Sequence, residues 1–423
     1  MAYVLRTVDS LLDQLCADLP ALAIEGARGV GKTATASRRA RTVLALDDED
    51  ELSLTRANPA RVTTLPRPLL IDEWQLAPAV WDRVRRAVDV GVAPGDYLLT
   101  GSATPTQAPR HSGAGRIVSV RMRPMSLAER GLVAPTVSLG DLLSGTRPDV
   151  GGECPLRLGD YAEEITASGF PALRAVAARS RPAAITGYVD ELLDRDLAGL
   201  DVTVRRPGTL RQWLRAFAAA TSTATSYNTI LRAATPGDDK PAKTTTTTYR
   251  EALERMWLLD ELPAWLWGRT SLGDLAVAPK HHLADPALAA RILGVGAGAL
   301  LDQPNPDNPA VPRQGPLVGA LFESLATLCV RVYAAAVSAQ VSHLRTHRGD
   351  HEVDLVVERE DGHVVAIEVK LAPTVTDDDT KHLRWLKTRL GDVVLDTVVV
   401  NTGLGAYRRD DGVAVVPLAL LGP

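Results

Sequence analysis

One octapeptide constrains this chain more than any other. GARGVGKT, Gly26–Thr33, sits between the apolar run ALAIEG and the helical pattern GKTATASRRARTVL. Glycines at these spacings let successive backbone N–H groups turn inward, and the helix that follows adds positive potential at its N-terminus. A strand, such a loop and a helix together make a phosphate cradle. Its candidate nucleotide contacts are Gly26, Ala27, Arg28, Gly29, Val30, Gly31, Lys32, Thr33 and Ala34. Lys32 is expected to reach the β- and γ-phosphates of ATP, and the Thr33 hydroxyl to hold Mg²⁺. A purely structural glycine turn is the competing reading.

The surrounding pattern repeats strand and helix. LLDQLCADL is helical, LPRPLLIDE reads as a buried strand, AVWDRVRRAVDVG as a helix and DYLLTGS as another strand. Such alternation predicts an α/β domain with a parallel sheet and helices on both faces. PLLIDE then supplies Asp72 for the Mg²⁺ shell and Glu73 to orient and activate an attacking water. Thr100 and Ser102 end the YLLTGS strand, either to sense the γ-phosphate or as a plain hydroxyl turn. Arg116, in SGAGRIVSV, is a candidate catalytic arginine for its own or a neighbouring subunit, or simply a surface residue. A homo-oligomer would follow from the neighbouring-subunit role.

Length sets the rest of the organisation. The 423 residues are enough for two to four domains. The expected division is an ATPase domain at 1–130, a connector at 131–154, a helical domain at 155–205, a winged-helix-like domain at 206–300, a linker at 301–316 and an α/β domain at 317–423. In the middle, Lys243, Arg250 and the threonines from Thr244 could meet phosphates or bases, or Leu253, Trp257 and Leu258 could merely pack on the ATPase core. Trp265 and Trp267 read as core or interface. A net charge of −4 excludes a polycation, so any nucleic-acid contact must be a local basic patch. Cys16, Cys154 and Cys329 have no CxxC spacing, which suits a reducing cytoplasm. No leader-like h-region and no run of about 18 apolar residues is evident, so no membrane partner is expected.

Near the C-terminus, EVDLVVE and HVVAIEVK are strands joined around Asp361-Gly362. Alternation puts Glu352, Asp354 and Val356 on one face, and Val364, Ala366, Glu368 and Lys370 on one face of the second strand. Two buried carboxylates and an ammonium need compensation. A divalent cation, Mg²⁺ or Mn²⁺, held by Asp354, Glu368 and the Val369 carbonyl would provide it, with Lys370 positioning a water. A solvated hairpin with a cross-strand ion pair is the alternative.

LAIEGARGVGKT, LLIDEWQLAPAVWDRVRRAVD, YLLTGSA, SGAGRIVSVRMRPMSLAE and SGFPAL together resemble a group of bacterial and archaeal AAA-type ATPases. GYVDELLDRDL, HHLADPALAARILG and LVGALFESL extend the resemblance along the chain. The resemblance implies a C-terminal region of unknown function ending in a restriction-endonuclease-like fold, with Lys32, Thr33, Asp72, Glu73, Ser102 and Arg116 on the ATPase motifs. The D…E-x-K spacing is similar to the PD-(D/E)XK nuclease superfamily, which places Glu323 as a further metal ligand on the preceding helix. His343, Arg345, His347 and Arg348 would add positive charge beside it. Two functions are expected to compete. One is ATP-coupled binding or cleavage of nucleic acid, DNA ahead of RNA. The other is a nucleotide-driven switch in signalling, toxin–antitoxin or defence systems, whose C-terminal domain only binds DNA or a protein partner.

Overall fold

The apolar run before the phosphate loop becomes β1 (Ala21–Glu25), buried along almost its whole length. The structure is a computed structural model that describes residues 3–104, 113–197, 207–234, 243–266, 278–301, 315–346 and 349–423. The expected linker lies largely outside the described residues, as do Trp267, His347 and Arg348.

β1 is joined in a parallel sheet by β2 (Thr42–Ala45), β3 (Leu69–Asp72), β4 (Tyr97–Gly101) and β5 (Val118–Arg121), in the order β2-β3-β4-β1-β5. The phosphate-loop helix is shorter than its sequence pattern predicts. It stops at Ser37, and the β-branched Thr42 and Val43 open β2 instead. Side chains alternate across the sheet. Leu22, Ile24, Leu70 and Leu98 face a large core, while Ala21, Ala23, Leu69, Ile71 and Leu99 pack on Trp74, Trp81 and Val84. Because β4 lies between β1 and β3, the loop after β1, Ser102 after β4 and Glu73 after β3 converge at the C-terminal sheet edge. Open α/β sheets bind their ligands at such an edge.

Residues 131–154 are more than a connector. β6 (Val137–Ser138) and the helix Leu139–Leu143 bury Val137, Leu139, Leu142 and Leu143 in the large core. In the middle, helices Pro207–Ala219, Tyr227–Ala234 and Lys243–Arg255 precede antiparallel bridges Leu259↔Leu283 and Leu262↔Lys280. The last helix buries Tyr249 and Leu253, and Arg250 lies 4.5 Å over the Tyr227 ring. Trp257 is covered by Arg121 of β5 at 4.0 Å.

The helix Gly315–Ala336 is long and apolar enough to cross a membrane by length and composition, contrary to expectation. It is instead mostly buried among protein elements, and it bears Glu323 and Arg331. After it come β7 (Gln340–Arg345), β8 (Glu352–Glu358) and β9 (Val364–Val369), successively antiparallel. The helix Lys381–Leu390 then leads to β10 (Val394–Asn401), parallel to β9, and β11 (Tyr407–Arg408) and β12 (Ala414–Pro417) complete a six-stranded sheet. β13 (Leu421–Gly422) pairs with β6. One face of this sheet (Leu355, Val357, Val365, Ile367, Val398) joins the large core, and the other (Val356, Val364, Ala366, Val399) packs on Leu383 and Leu386. A single apolar core thus runs from β1 through the helical middle to β9.

The hairpin departs from simple alternation at one point. Ser342 pairs with Val356 but Leu344 pairs with Val353, so β8 carries one extra residue. Val353 consequently shares a face with Val356, and Leu355 shares the opposite face with Val357. Asp354 lies within this irregular step.

Candidate active site

The loop after β1 needs glycine for steric reasons. A Cβ on Gly26 would sit 2.1 Å from the Met122 carbonyl oxygen, and Gly29 and Gly31 adopt φ of 83° and 104°. The loop is braced from behind by Arg6, which is buried. Its guanidinium donates to the Val30 carbonyl at 2.9 Å, the Arg123 carbonyl at 2.7 Å and Glu129 Oε1 at 3.1 Å. Lys32 Nζ turns back into the loop and donates to Gly26 O at 2.8 Å and Ala27 O at 3.0 Å. Burial lowers its pKa to about 8.

Opposite the loop, Thr33 Oγ1 donates to Asp72 Oδ1 at 2.8 Å, and the Thr100 hydroxyl donates to the same oxygen. Burial raises the Asp72 pKa although these two hydroxyls oppose the shift. Glu73 follows with φ of 53°, a left-handed conformation that a non-glycine residue holds at a cost of roughly 1–3 kcal/mol. That turn brings its carboxylate to Ser102 Oγ at 2.6 Å. Gln75 donates to Glu73 and, at 3.2 Å, to Ser102 Oγ, so it ties the pair together.

Arg28, Thr33, Asp72, Glu73, Gln75 and Ser102 line a cavity of about 390 Å³. Its far wall is the helical middle: Leu192, Arg195, Asp196 and Met256. Arg28 pairs there with Asp196 at 2.8 Å, and the Tyr188 hydroxyl donates to the Arg28 carbonyl at 2.8 Å. Arg195, Asp196, Gln75 and Arg6 were not singled out from sequence: the first three lie in segments that carry the resemblance, but no local chemical pattern marks any of the four. Arg116 is not among the residues lining the cavity. It is half-exposed and pairs with Asp89 at 2.8 Å.

The C-terminal residues come together differently from the metal expectation. Lys280 Nζ, from the middle of the chain, lies 2.9 Å from Glu323 Oε1, 2.9 Å from Glu352 Oε1 and 2.9 Å from Asp354 Oδ1. Asp354 Oδ2 accepts from the Val369 N–H at 2.9 Å. Glu368 pairs with Lys370 at 2.9 Å. Burial, reinforced by Asp354, raises the pKa of both Glu323 and Glu368 to about 8. Asp354 is driven the other way, because Lys280 outweighs its burial. Among the described residues no group of three or more His, Cys, Asp or Glu is arranged to hold a metal. Lys280 thus lies between Glu323 and Asp354, and Lys370 beside Glu368, where a shared metal ion was expected.

The bridged segments 259–262 and 280–283 link the C-terminal cluster to β5. Asp260 N donates to His282 O at 2.9 Å, and Leu262 and Lys280 exchange both backbone hydrogen bonds at 2.9 Å. The Asp260 carboxylate is gripped by Arg123 at 2.7 Å, by Arg331 at 3.2 Å and by Arg121 of β5 at 3.4 Å.

Residues 18–130 match a family model described as an AAA domain. Models described only as domains of unknown function match residues 158–298 (DUF8612) and 318–421 (DUF4143). Uncharacterized proteins of Mycobacterium tuberculosis (Rv2008c) and Mycobacterium bovis (Mb2031c) are each 26% identical over 411 residues, spanning 94% of this chain and 80% of theirs. Among solved structures, the Walker-type ATPase of Pyrococcus abyssi is similar at 15% identity and a TM-score of 0.38. That match covers 67% of this chain and 94% of the other. Together with the cavity, the AAA match makes the N-terminal part an AAA-type P-loop ATPase domain. The description matched by residues 318–421 carries no activity, so the nuclease likeness rests on the residues alone.

Proposed function

We propose that this chain is an ATP-driven switch whose C-terminal domain holds a partner and does not cut. The observation that carries it is the convergence of Arg28, Thr33–Asp72 and Glu73–Ser102 on one cavity that the helical middle closes. The backbone N–H groups of the loop and the Lys32 ammonium bind the phosphates. Thr33 and Asp72, a hydroxyl and a carboxylate side by side, suit a hard oxygen-seeking cation. Mg²⁺ held there would neutralise charge on the phosphate oxygens. Glu73 orients a water and takes its proton as the water oxygen bonds to the γ-phosphorus and the bond to ADP breaks. Ser102 and Gln75 keep that carboxylate aimed.

Changes at the cavity have a physical route outward. Arg121 and Arg123 lie on and just beyond β5, and they hold Asp260 of the hairpin that ends in Lys280. Arg116 would act in hydrolysis only on a neighbouring copy, since it does not line its own cavity.

The competing reading is ATP-coupled cleavage of nucleic acid. It is supported by the order helix, three antiparallel strands, helix, parallel strand, and by Glu368 and Lys370 on one face. A panel of single- and double-stranded DNA and RNA, incubated with Mg²⁺ or Mn²⁺ with and without ATP, separates the two. No cleavage is expected. Cleavage that is lost in Asp354→Asn would replace the switch with the nuclease.

A further inference from the structure

We propose that Lys280 is a tethered cation that takes the place of a divalent metal in the C-terminal acidic cluster, which leaves that site, as folded, closed to Mg²⁺ and Mn²⁺. This deepens the non-cleaving reading above and rests on it.

The geometry is that of a cation site already occupied by an ammonium. A lysine ammonium has three N–H donors and no acceptor. Lys280 donates to Glu323 and to Asp354 and forms an ion pair with Glu352, at 2.9 Å each. The same oxygens would have to close to roughly 2.0–2.6 Å around a divalent ion. An ammonium and a divalent cation cannot share them, since their like charges would lie about one bond length apart with no water between. The other oxygen of Asp354 is taken by the Val369 N–H, and Glu368 is matched by Lys370. Each carboxylate of the cluster thus has at least one oxygen paired within the chain, and Glu368 Oε2 is buried without a partner.

Nor is Lys280 a loose side chain that happens to reach the cluster. Its stem is buried, with the side chain only 2% exposed. Its backbone is fixed by two hydrogen bonds to Leu262. The Leu262 strand is in turn seated along the β7 edge: Trp265 N donates to His343 O at 2.6 Å, His343 N donates to Pro263 O at 2.9 Å, and the Trp265 indole donates to Glu358 at 3.0 Å. A residue of the middle region is thus built into the C-terminal sheet. The cation reaches the site from 43 residues before Glu323 and 74 before Asp354.

The test counts bound Mn²⁺ by the electron paramagnetic resonance of the free ion, on the full chain without nucleotide. Wild type and Asp354→Asn should give superimposable titrations, because the intact cluster takes no metal. Lys280→Met should gain one Mn²⁺ per chain, bound at least ~30-fold more tightly than any wild-type site, since three freed carboxylates make a strong oxygen site. Adding Asp354→Asn to Lys280→Met should abolish that gain. The proposal is overturned if wild type already binds an Mn²⁺ that Asp354→Asn removes, or if folded Lys280→Met gains none. Should Lys280→Met unfold, Mn²⁺ is expected to restore its cooperative melt. If it does not, Lys280→Met combined with Glu352→Gln, which removes the excess charge, must gain the ion or the proposal falls. Wild-type Mn²⁺ binding that Asp354→Asn removes, without nucleic-acid cleavage, would remove the proposal and leave the switch. Cleavage would remove both.

Discussion

Replacing Asp260 with asparagine keeps the shape of the hairpin but deletes the one carboxylate that three arginines share. Asp260 is buried, and although burial pushes its pKa up, Arg123, Arg331 and Arg121 hold it well below the usual carboxylate range. Burial also pulls the pKa of Arg121 and of Arg331 down to about 10, so both guanidiniums are already poorly solvated. Removing one partner of a buried ion pair costs about 3–5 kcal/mol, because the remaining charge is left uncompensated. If the shared core unfolds as one unit, 423 residues at ~2.1 cal/mol/K each give an unfolding entropy of about 0.9 kcal/mol/K. The melting midpoint of Asp260→Asn should therefore fall by about 3–6 °C by calorimetry at pH 7.5. Asp89→Asn, which breaks the exposed pair with Arg116, serves as the control and should not move it. A shift for Asp260→Asn no larger than that control would refute the view that this cluster clamps the hairpin to β5.

Two further outcomes follow from the same geometry. Gln75→Ala should lower kcat for ATP hydrolysis by roughly 10-fold with KM unchanged, since Gln75 orients Glu73 without being placed to bind phosphate; a change confined to KM would contradict this. His282 is fully buried, and burial, reinforced by Arg331, lowers its pKa to about 3. A histidine depressed in this way contributes stability that is present above pH ~6.5 and is lost as pH falls towards the folded value. Glu323 and Glu368, raised to about 8, act with the opposite sign, so the test is a difference. The stability gap between wild type and His282→Gln, measured by urea unfolding, should shrink by about 1.4 kcal/mol from pH 7.5 to pH 5.5. A gap independent of pH would show that His282 is not held neutral.

The nucleotide site was legible because its chemistry is local. GARGVGKT, the acidic pair ending LLIDE and the hydroxyls of YLLTGS each lie at the end of one apolar strand, and the strand–helix rhythm brings those ends together. What was missed depends on contacts between distant segments. β2 is four residues long and abuts a helical pattern, so its alternation was too brief to register. The extra residue in β8 exists only through its pairing with β7, and it brings Val353 onto the face of Val356, which strict alternation does not allow. Lys280 lies in APKHHLADP, where nothing marks it as the partner of acids on a helix and a strand far along the chain. The carboxylates of the C-terminal cluster were read as needing a cation, and the ammonium of Lys280 lies against three of them.

The most direct test is ATP turnover set against ATP binding in wild type, Glu73→Gln and Lys32→Ala, by phosphate release and calorimetric titration. Wild type is expected to hydrolyse ATP. Glu73→Gln should bind ATP as tightly as wild type while its turnover falls ~100-fold or more, since only the group that activates water is lost. Lys32→Ala should lose binding and turnover together. Turnover in Glu73→Gln equal to wild type, or full ATP affinity in Lys32→Ala, would contradict the assignment of this cavity as the site of hydrolysis.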